Sequence, residues 1–90
     1  MKELKDILFG VSIEQTYGSI DKQISALAYD SREVVSDALF VAIKGDAVDG
    51  HAYIEVAIKQ GTTVVLVEDE GAYDTTEITY VRVNDTRIAL

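Results

Sequence analysis

The sequence contains no cysteine, which excludes disulfide bonds and thiolate metal sites. It has no tryptophan, five tyrosines and two phenylalanines, a poor supply of stacking surfaces for single-stranded nucleic acid. Basic residues are scarce too: 8 Lys and Arg stand against 16 Asp and Glu, and the net charge of −8 argues against nucleic-acid binding, which needs a basic stripe. No apolar run approaches the ~20 residues of a membrane span, and the charged residues 1–6 lack the apolar core of a signal peptide. We therefore expect a cytoplasmic protein with neither a nucleic-acid nor a membrane partner.

The 90 residues that are present suit one small domain, because a chain of this size buries one modest core and no second one. A hydrophobic content of 48% and a charged content of 27% are normal for a globular protein. Most of the negative charge falls in the second half of the sequence. An anion-binding surface is therefore expected to draw on the first half, where Arg32 and Lys44 occur.

A strand–helix–strand unit is predicted in the middle of the sequence. The continuous apolar runs Leu39–Ile43 and Thr62–Val67 are typical of strands buried on both faces. Between them, a helix is predicted from His51 to Gln60, with Gly61 ending it. Asp49 is the candidate N-cap, and the inner face is expected to hold Tyr53, Ile54, Ala57 and Ile58. Such a crossover implies that the two strands pair in parallel.

The remaining segments complete an α/β pattern. Apolar residues at i, i+3, i+4 and i+7 (Leu4, Ile7, Leu8 and Val11) predict a short amphipathic helix, with Gly10 as the candidate stop. Strands are predicted at Ile24–Tyr29 and Thr79–Val83, and a further short strand is an option over Ser12–Tyr17. The acidic run Glu68–Glu70 is expected to be solvated. We expect a single α/β domain with a small, mostly parallel or mixed sheet of about four to five strands and flanking helices.

The end of the sequence has the pattern of a helix start. Asn84–Thr86 resembles an N-cap region, and Arg87–Leu90 supplies only a first turn, which is not stable alone. We expect a domain over residues 1–84. Residues 85–90 would begin a linker or helix leading to a further domain, so that the sequence is a piece of a longer protein.

The loop Gly45–Ala52 is the first candidate for chemistry, since it follows a buried strand and opens a helix. Its two glycines match the G-x-x-x-x-G spacing of ATPase phosphate loops, but His51 and Ala52 replace the Lys and the Ser or Thr that act there. Backbone N–H groups at such a turn can still hold an anion; the alternative is an ordinary glycine-containing turn. A single histidine without cysteines or paired carboxylates makes a metal site improbable, and His51 is expected to form hydrogen bonds at the helix start.

The triplet Asp30–Arg32 is the second candidate. It follows a predicted strand, and the carboxyl ends of strands in α/β sheets face the ligand crevice. The Ser31 hydroxyl suits a heterocycle or sugar, and Arg32 offers a planar fork for a phosphate. The alternative is a turn in which Asp30 and Arg32 pair and Ser31 caps. Because no nucleophile–base pair is visible, the residues indicate a binding domain and no catalytic residue.

These segments occur in an order and spacing that resembles the N-terminal domain of the Mur ligases. The resemblance rests on Asp30–Arg32, Leu39–Gly45, Asp49–Ile54 and Ala57–Gly61, with further similarity at Leu4–Leu8 and Asn84–Leu90. It covers nearly the whole chain and is greatest for the member that adds the third residue of the peptide. The alternative within the family is the member that adds the terminal dipeptide. A stand-alone interaction module is the alternative outside it.

The resemblance implies a cytoplasmic, three-domain ligase of peptidoglycan synthesis. Such a ligase uses ATP and Mg²⁺ to convert a carboxylate into an acyl phosphate, which the amine of an amino acid then attacks to form an amide. The central domain holds the ATP loop, so no cofactor and no metal are expected in the present residues, and the fragment alone is expected to be inactive. Its implied partners are UDP-N-acetylmuramoyl-dipeptide and the central and C-terminal domains of its own chain.

Carried over residue by residue, the resemblance places the contacts to UDP at Tyr29, Ser31, Asp46, Ala47 and Val48. Supporting contacts are expected from Arg32, Lys44, Gly45 and His51. The sequence departs from the family where Asp37-Ala38 precedes Leu39, since Gly-Asp is usual there. It also departs at Ala47 and Val48, which offer only backbone contacts and packing.

Overall fold

The chain folds as alternating strands and helices, seen in a computed structural model that describes residues 2–42, 53–68 and 77–86. In chain order, the described elements are strand β1 (Lys2–Glu3), helix α1 (Leu4–Ile7), strands β2 (Ile13–Tyr17), β3 (Gln23–Ile24) and β4 (Leu27–Ala28), one 3₁₀ turn (Ser31–Glu33), strand β5 (Leu39–Val41), helix α2 (Ile54–Gln60), and strands β6 (Val64–Val67) and β7 (Thr79–Val83).

Five of these strands form a mixed sheet in the order β2-β7-β6-β5-β4. Strands β4, β5, β6 and β7 run parallel to their neighbours, and β2 pairs antiparallel with β7 at one edge. Strands β1 and β3 form a separate antiparallel ribbon. The predicted α/β class, the mixed sheet and the β5–α2–β6 crossover are confirmed, and the optional strand before Gly18 is present as β2.

Both faces of the sheet are covered. Neighbouring side chains of a strand point to opposite faces, so a fully buried strand needs a packed layer on each side. One face carries α1 and buries Leu4, Leu8, Ile24, Leu39, Val41, Val64, Leu66, Val81 and Val83. The other face carries α2 and buries Ala28, Val34, Ala38, Phe40, Ala42, Ala57, Val65, Val67 and Tyr80. Two cores therefore share the central strands, which explains why β5 and β6 are apolar at every position.

The predicted strand Ile24–Tyr29 is wrong as a single element. Ile24 belongs to β3 and pairs with β1, whereas Leu27 and Ala28 form β4 in the main sheet. The break lies at Ser25, whose N–H donates to the Asp37 carbonyl at 3.0 Å and whose hydroxyl donates to the Ser36 carbonyl at 2.6 Å. These bonds turn the backbone toward the segment before β5, so the chain passes from one sheet to the other.

Helix α2 ends where the sequence predicts. Gly61 has φ 119°, and its N–H and that of Thr62 donate to the Ile58 and Ala57 carbonyls, both at 3.1 Å. The predicted inner face is correct for Ala57, which is buried, and for the half-buried Ile54 and Ile58. It is wrong for Tyr53, which is 44% exposed because it precedes the first helical turn. The candidate cap Asp49 and the predicted start at His51 lie outside the described residues.

The amino edge of the sheet is held by Lys22. The Lys22 ammonium donates to the Thr63 carbonyl at 3.1 Å and to the Glu77 carbonyl at 2.8 Å. These carbonyls lie just before β6 and just before β7. Partial burial lowers the pKa of Lys22, because desolvation disfavours the charged form.

The position of Gly61 leaves no room for a side chain, so we expect Gly61→Ala to destabilise the chain strongly. A Cβ would lie 2.9 Å from the Ser36 Cα, adding a steric cost of ~1–3 kcal/mol to the backbone strain of φ 119°. Gly10→Ala is the matched control, since φ is 85° there and no described heavy atom lies within 4 Å. Chemical denaturation should show a loss of ~0.5–1 kcal/mol for Gly10→Ala from backbone strain alone. Equal losses in the two variants would contradict the close approach.

The departure from the family at Asp37 has a conformational consequence. Asp37 has φ 64°, a left-handed conformation that glycine adopts freely and other residues adopt at a cost. Its N–H donates to the Gly61 carbonyl at 2.9 Å, so the turn before β5 is fixed against the end of α2. The glycine usual in the family therefore suits the backbone of this position better than the aspartate does.

We expect Asp37→Gly to raise the free energy of unfolding by ~0.5–1 kcal/mol. Relief of ~1–2 kcal/mol of left-handed strain outweighs the ~0.4–1 kcal/mol of freedom that glycine adds to the unfolded chain. Denaturant unfolding of Asp37→Gly beside Asp37→Ala measures this. Asp37→Ala removes the same carboxylate but keeps the Cβ, so an equal gain there would show that charge, and not backbone conformation, is responsible.

Candidate functional site at the carboxyl edge of the sheet

The carboxyl ends of β4, β5, β6 and β7 lie along one edge of the sheet, because these four strands are parallel. The segments that leave this edge begin with Tyr29 after β4, Ala42 after β5, Glu68 after β6 and Asn84 after β7. Polar side chains thus follow three of the four strands. This is the edge where ligands bind in open α/β sheets.

The 3₁₀ turn after β4 is built by Asp30. Its carboxylate accepts from the Arg32 N–H at 2.9 Å, and its carbonyl accepts from the Glu33 N–H at 2.9 Å. The Arg32 guanidinium also binds this carboxylate, with Nη2 at 2.6 Å and Nε at 3.1 and 3.2 Å from its two oxygens. The Asp30–Arg32 pair foreseen as the alternative is therefore present, but Asp30, and not Ser31, caps the turn.

Ser31 occupies the first position of that turn and is held from two sides. It is 8% exposed, and its carbonyl accepts from the Val34 N–H at 3.4 Å and from the Gln60 side-chain amide. Gln60 is the last residue of α2, so the C-terminal end of this helix holds the turn that follows β4. This role of Gln60 is not predicted from the sequence, although the residue lies inside the Ala57–Gly61 block that carries the resemblance. Tyr29, just before the turn, is 50% exposed.

The charge of Arg32 is compensated within the turn. The hydrogen bond from Arg32 is the main cause that lowers the pKa of Asp30 to about 2, and the same contact raises the pKa of Arg32. The guanidinium side chain is 87% exposed, so it reaches solvent while bound to a carboxylate. Arg32 therefore presents donors at this edge but little net positive charge.

The structure brings Tyr29, Ser31 and Arg32 together, as expected from their adjacency. The other predicted site residues lie outside the described residues: Lys44, Gly45, Asp46, Ala47, Val48 and His51. Within the described ranges, no three His, Asp or Glu side chains are grouped as metal ligands would be. None of the helices in those ranges has the length and apolar character needed to cross a bilayer.

A second polar group on this edge is formed by Thr86 and Glu68, which are not among the predicted site residues. Thr86 is 1% exposed, and its hydroxyl lies 3.1 Å from the Ala42 carbonyl and 2.7 Å from Glu68 Oε2. Its N–H donates to the same Glu68 oxygen at 3.4 Å. The expectation that Glu68 is only solvated is wrong, because this carboxylate is half-buried and binds Thr86. The N-cap pattern at Asn84–Thr86 is the sequence feature that indicates a hydrogen-bonding role for Thr86.

Comparison with known proteins agrees with this architecture. The family model described as "Mur ligase family, catalytic domain" matches residues 23–90. The UDP-N-acetylmuramoyl-L-alanyl-D-glutamate–2,6-diaminopimelate ligase of Clostridioides difficile is 39% identical over 85 residues, which cover 94% of this chain and 17% of that protein. The enzyme of the same name from Phocaeicola vulgatus is 36% identical over 84 residues, covering 93% of this chain and 17% of that protein.

Solved structures show the same relationship. The crystal structure of MurF from Acinetobacter baumannii superposes with a TM-score of 0.67 at 28% identity, covering 97% of this chain and 18% of that one. The fold is thus a small α/β domain with a candidate site at the carboxyl edge of its sheet, and the chain belongs to the Mur ligase family. It spans 17% to 18% of the length of these relatives.

The Asp30–Arg32 pair predicts a measurable titration. Because the folded pKa of Asp30 is about 2, its carboxylate should remain ionised at pH 3, and in Arg32→Gln its pKa should return toward the ordinary 3.8. The stabilisation from the pair is present above the ordinary pKa and is lost as pH falls through the folded pKa. NMR titration of the Asp30 carboxyl carbon measures both values. An unchanged pKa in Arg32→Gln would rule out the guanidinium as the cause.

Proposed function

We propose that this chain is the UDP-binding domain of a ligase that extends UDP-N-acetylmuramoyl-L-alanyl-D-glutamate by one amino acid. The observation that carries the proposal is Ser31, which is nearly buried and fixed at the carboxyl end of β4 by the Asp30 cap and by Gln60. A preorganised polar group at this edge suits a ligand that must be bound in one orientation. Family membership supports the same assignment.

Ser31 and Tyr29 would contact the nucleoside end of the ligand. The Ser31 carbonyl is already used by Gln60, so the hydroxyl is the group this residue offers, and a hydroxyl can both donate to and accept from a base or ribose. Tyr29 precedes it with half of its surface exposed, which leaves an aromatic face for the ligand. The residues Asp46, Ala47 and Val48 would complete the contacts, with support from Lys44, Gly45 and His51.

The diphosphate must be held by local donors, since the chain carries a net charge of −8 and long-range attraction is unfavourable. Arg32 offers N–H groups whose charge Asp30 compensates. Backbone N–H groups of the loop after β5 would supply the rest, because a turn that opens a helix is suited to an anion. Binding to the isolated chain is therefore expected to be weak.

The whole ligase would use ATP and Mg²⁺ in a central domain that follows residues 85–90, with this fragment inactive alone. A cytoplasmic role in peptidoglycan synthesis fits the relatives named as diaminopimelate ligases and the one from Oceanobacillus iheyensis named as a tripeptide synthetase, which is 33% identical. A related MurF ligase from Thermotoga maritima was solved in complex with ADP. The ligase adding D-alanyl-D-alanine is the second candidate, because a structure of that name from Acinetobacter baumannii shares 33% identity with this chain.

The test is an NMR titration of the 90-residue chain with UDP. Amide signals of Tyr29–Arg32 should move, and Ser31→Ala should weaken binding about fivefold to tenfold, as expected for one lost hydrogen bond. Ser36→Ala is the matched control, because it removes the same hydroxyl at the opposite edge of the sheet. The proposal fails if UDP moves only signals distant from Tyr29–Arg32, or if Ser36→Ala weakens binding as much.

The same substitution in the complete ligase distinguishes a role of Ser31 in binding UDP from a general effect on the enzyme. Ser31→Ala should raise KM for the UDP-linked substrate by a similar factor while KM for ATP stays unchanged, because the distant UDP contact serves to position the substrate. Equal substrate KM values in Ser31→Ala and the parent enzyme would remove Ser31 from the site. A gene in which no ATP-binding domain follows would favour the stand-alone interaction module.

A further inference from the structure

A buried threonine joins the ends of three parallel strands at the carboxyl edge. Thr86 lies just beyond β7, and its hydroxyl is within hydrogen-bond distance of the Ala42 carbonyl beyond β5 and of the Glu68 carboxylate beyond β6. Ala42 is fully buried, and its N–H donates to the Leu66 carbonyl of β6 at 2.9 Å. The N–H of Ala42 is thus bonded to β6, and its carbonyl is bonded to Thr86.

The contacts between these strand ends depend on the hydroxyl group of Thr86 and not on the shape of its side chain. The hydroxyl has one proton to donate, and its oxygen lies 3.1 Å from the Ala42 carbonyl oxygen and 2.7 Å from Glu68 Oε2; the Thr86 N–H gives Glu68 a second donor at 3.4 Å. Water does not replace these bonds, since Thr86 is 1% exposed. Removal of the hydroxyl would leave the Ala42 carbonyl buried without its donor, which is costly.

We propose that Thr86, held by Glu68, is a positioning residue for the UDP site. It would act through Ala42, which fixes the point from which the chain continues toward Asp46, Ala47 and Val48, and it does not itself touch the nucleotide. The inference rests on the proposed function, because it assigns to Thr86 the placement of contacts that the proposal gives to that loop. Ser31 lies three residues beyond β4, which pairs with β5, so both groups of proposed contacts follow strands that depend on the position of β5.

The opposite edge of the sheet provides a matched control. Thr62 is also buried, at 2% exposed, and its hydroxyl lies 2.5 Å from the Ala38 carbonyl and 3.2 Å from the Val64 carbonyl. It therefore joins β5 and β6 where they begin, also through a buried hydroxyl. A threonine-to-valine change at either position removes one buried hydroxyl at nearly constant shape, but only Thr86 lies at the carboxyl edge.

The experiment compares Thr86→Val, Thr86→Ser and Thr62→Val in the 90-residue chain, with UDP as the probe and thermal unfolding recorded for each. Both valine variants should lose stability. Thr86→Val should raise the Kd for UDP about fivefold to tenfold, Thr86→Ser should restore it, and Thr62→Val should leave it unchanged. A Kd raised equally by Thr62→Val, or unchanged in folded Thr86→Val, would overturn the proposal.

If Thr86→Val does not fold, Glu68→Ala replaces it. The Kd for UDP is then expected to rise several-fold, and an unchanged Kd would again overturn the inference.

Hydrogen exchange without ligand tests the positioning role independently of UDP. In Thr86→Val, the Ala42 amide should exchange about tenfold faster while amides of β2 keep their rates, because only the β5 end is released. If the parent chain fails to bind UDP, the proposed function fails although Ala42 exchange still responds. If UDP binds but neither the Kd nor the Ala42 exchange responds to Thr86→Val, the positioning role alone is wrong.

Discussion

Burial of β5 and β6 on both faces is the constraint on which the other parts of this structure depend. Every residue of Leu39–Ala42 and Val64–Val67 is at most 2% exposed, so each strand must pack against α1 on one side and α2 on the other. A fully buried Val, Leu or Phe side chain contributes roughly 1.5–3 kcal/mol, whereas a hydrogen bond contributes about 1 kcal/mol. Apolar burial therefore decides the layers, and the polar contacts decide how the edges of the sheet are arranged.

The two edges of the sheet use similar polar chemistry for different purposes. At the amino edge, Lys22 and Thr62 bind carbonyls at the beginnings of the strands, and these contacts hold the strand beginnings together. At the carboxyl edge, Thr86 binds the end of β5, while the turn after β4 holds the nearly buried Ser31 beside the half-exposed Tyr29. Rigid strand ends next to a turn that is itself held in place suit a binding site on a small domain, since the supporting residues must hold the contacting ones in position.

In the proposed function, this domain binds a part of the substrate far from the reacting carboxylate. Such remote binding contributes to the reaction by orienting the substrate, and it does not require a catalytic residue in the domain itself. The acidic composition fits this role only if the anionic ligand is held by local donors. The chain spans 17% to 18% of its relatives, so the chemistry of the family would be performed by the rest of such a protein.

The features that the sequence predicted well are those determined by neighbouring residues. Apolar runs specify β5 and β6, helical spacing with Gly61 specifies the end of α2, and the short distance between Asp30 and Arg32 makes their ion pair foreseeable. Ordered motifs also identified the family. These features depend on contacts within a few positions of the chain, where periodicity and turn chemistry are informative.

Other features were decided only by the tertiary structure. The division of Ile24–Tyr29 between two sheets depends on Ser25 binding the Ser36 carbonyl, and the burial of Glu68 against Thr86 depends on residues 18 positions apart. Gln60 reaches Ser31 across 29 positions, and Thr86 reaches Ala42 across 44. A side chain's partner at such separations is set by which strands become neighbours, and that order is a property of the assembled sheet that local sequence patterns do not contain.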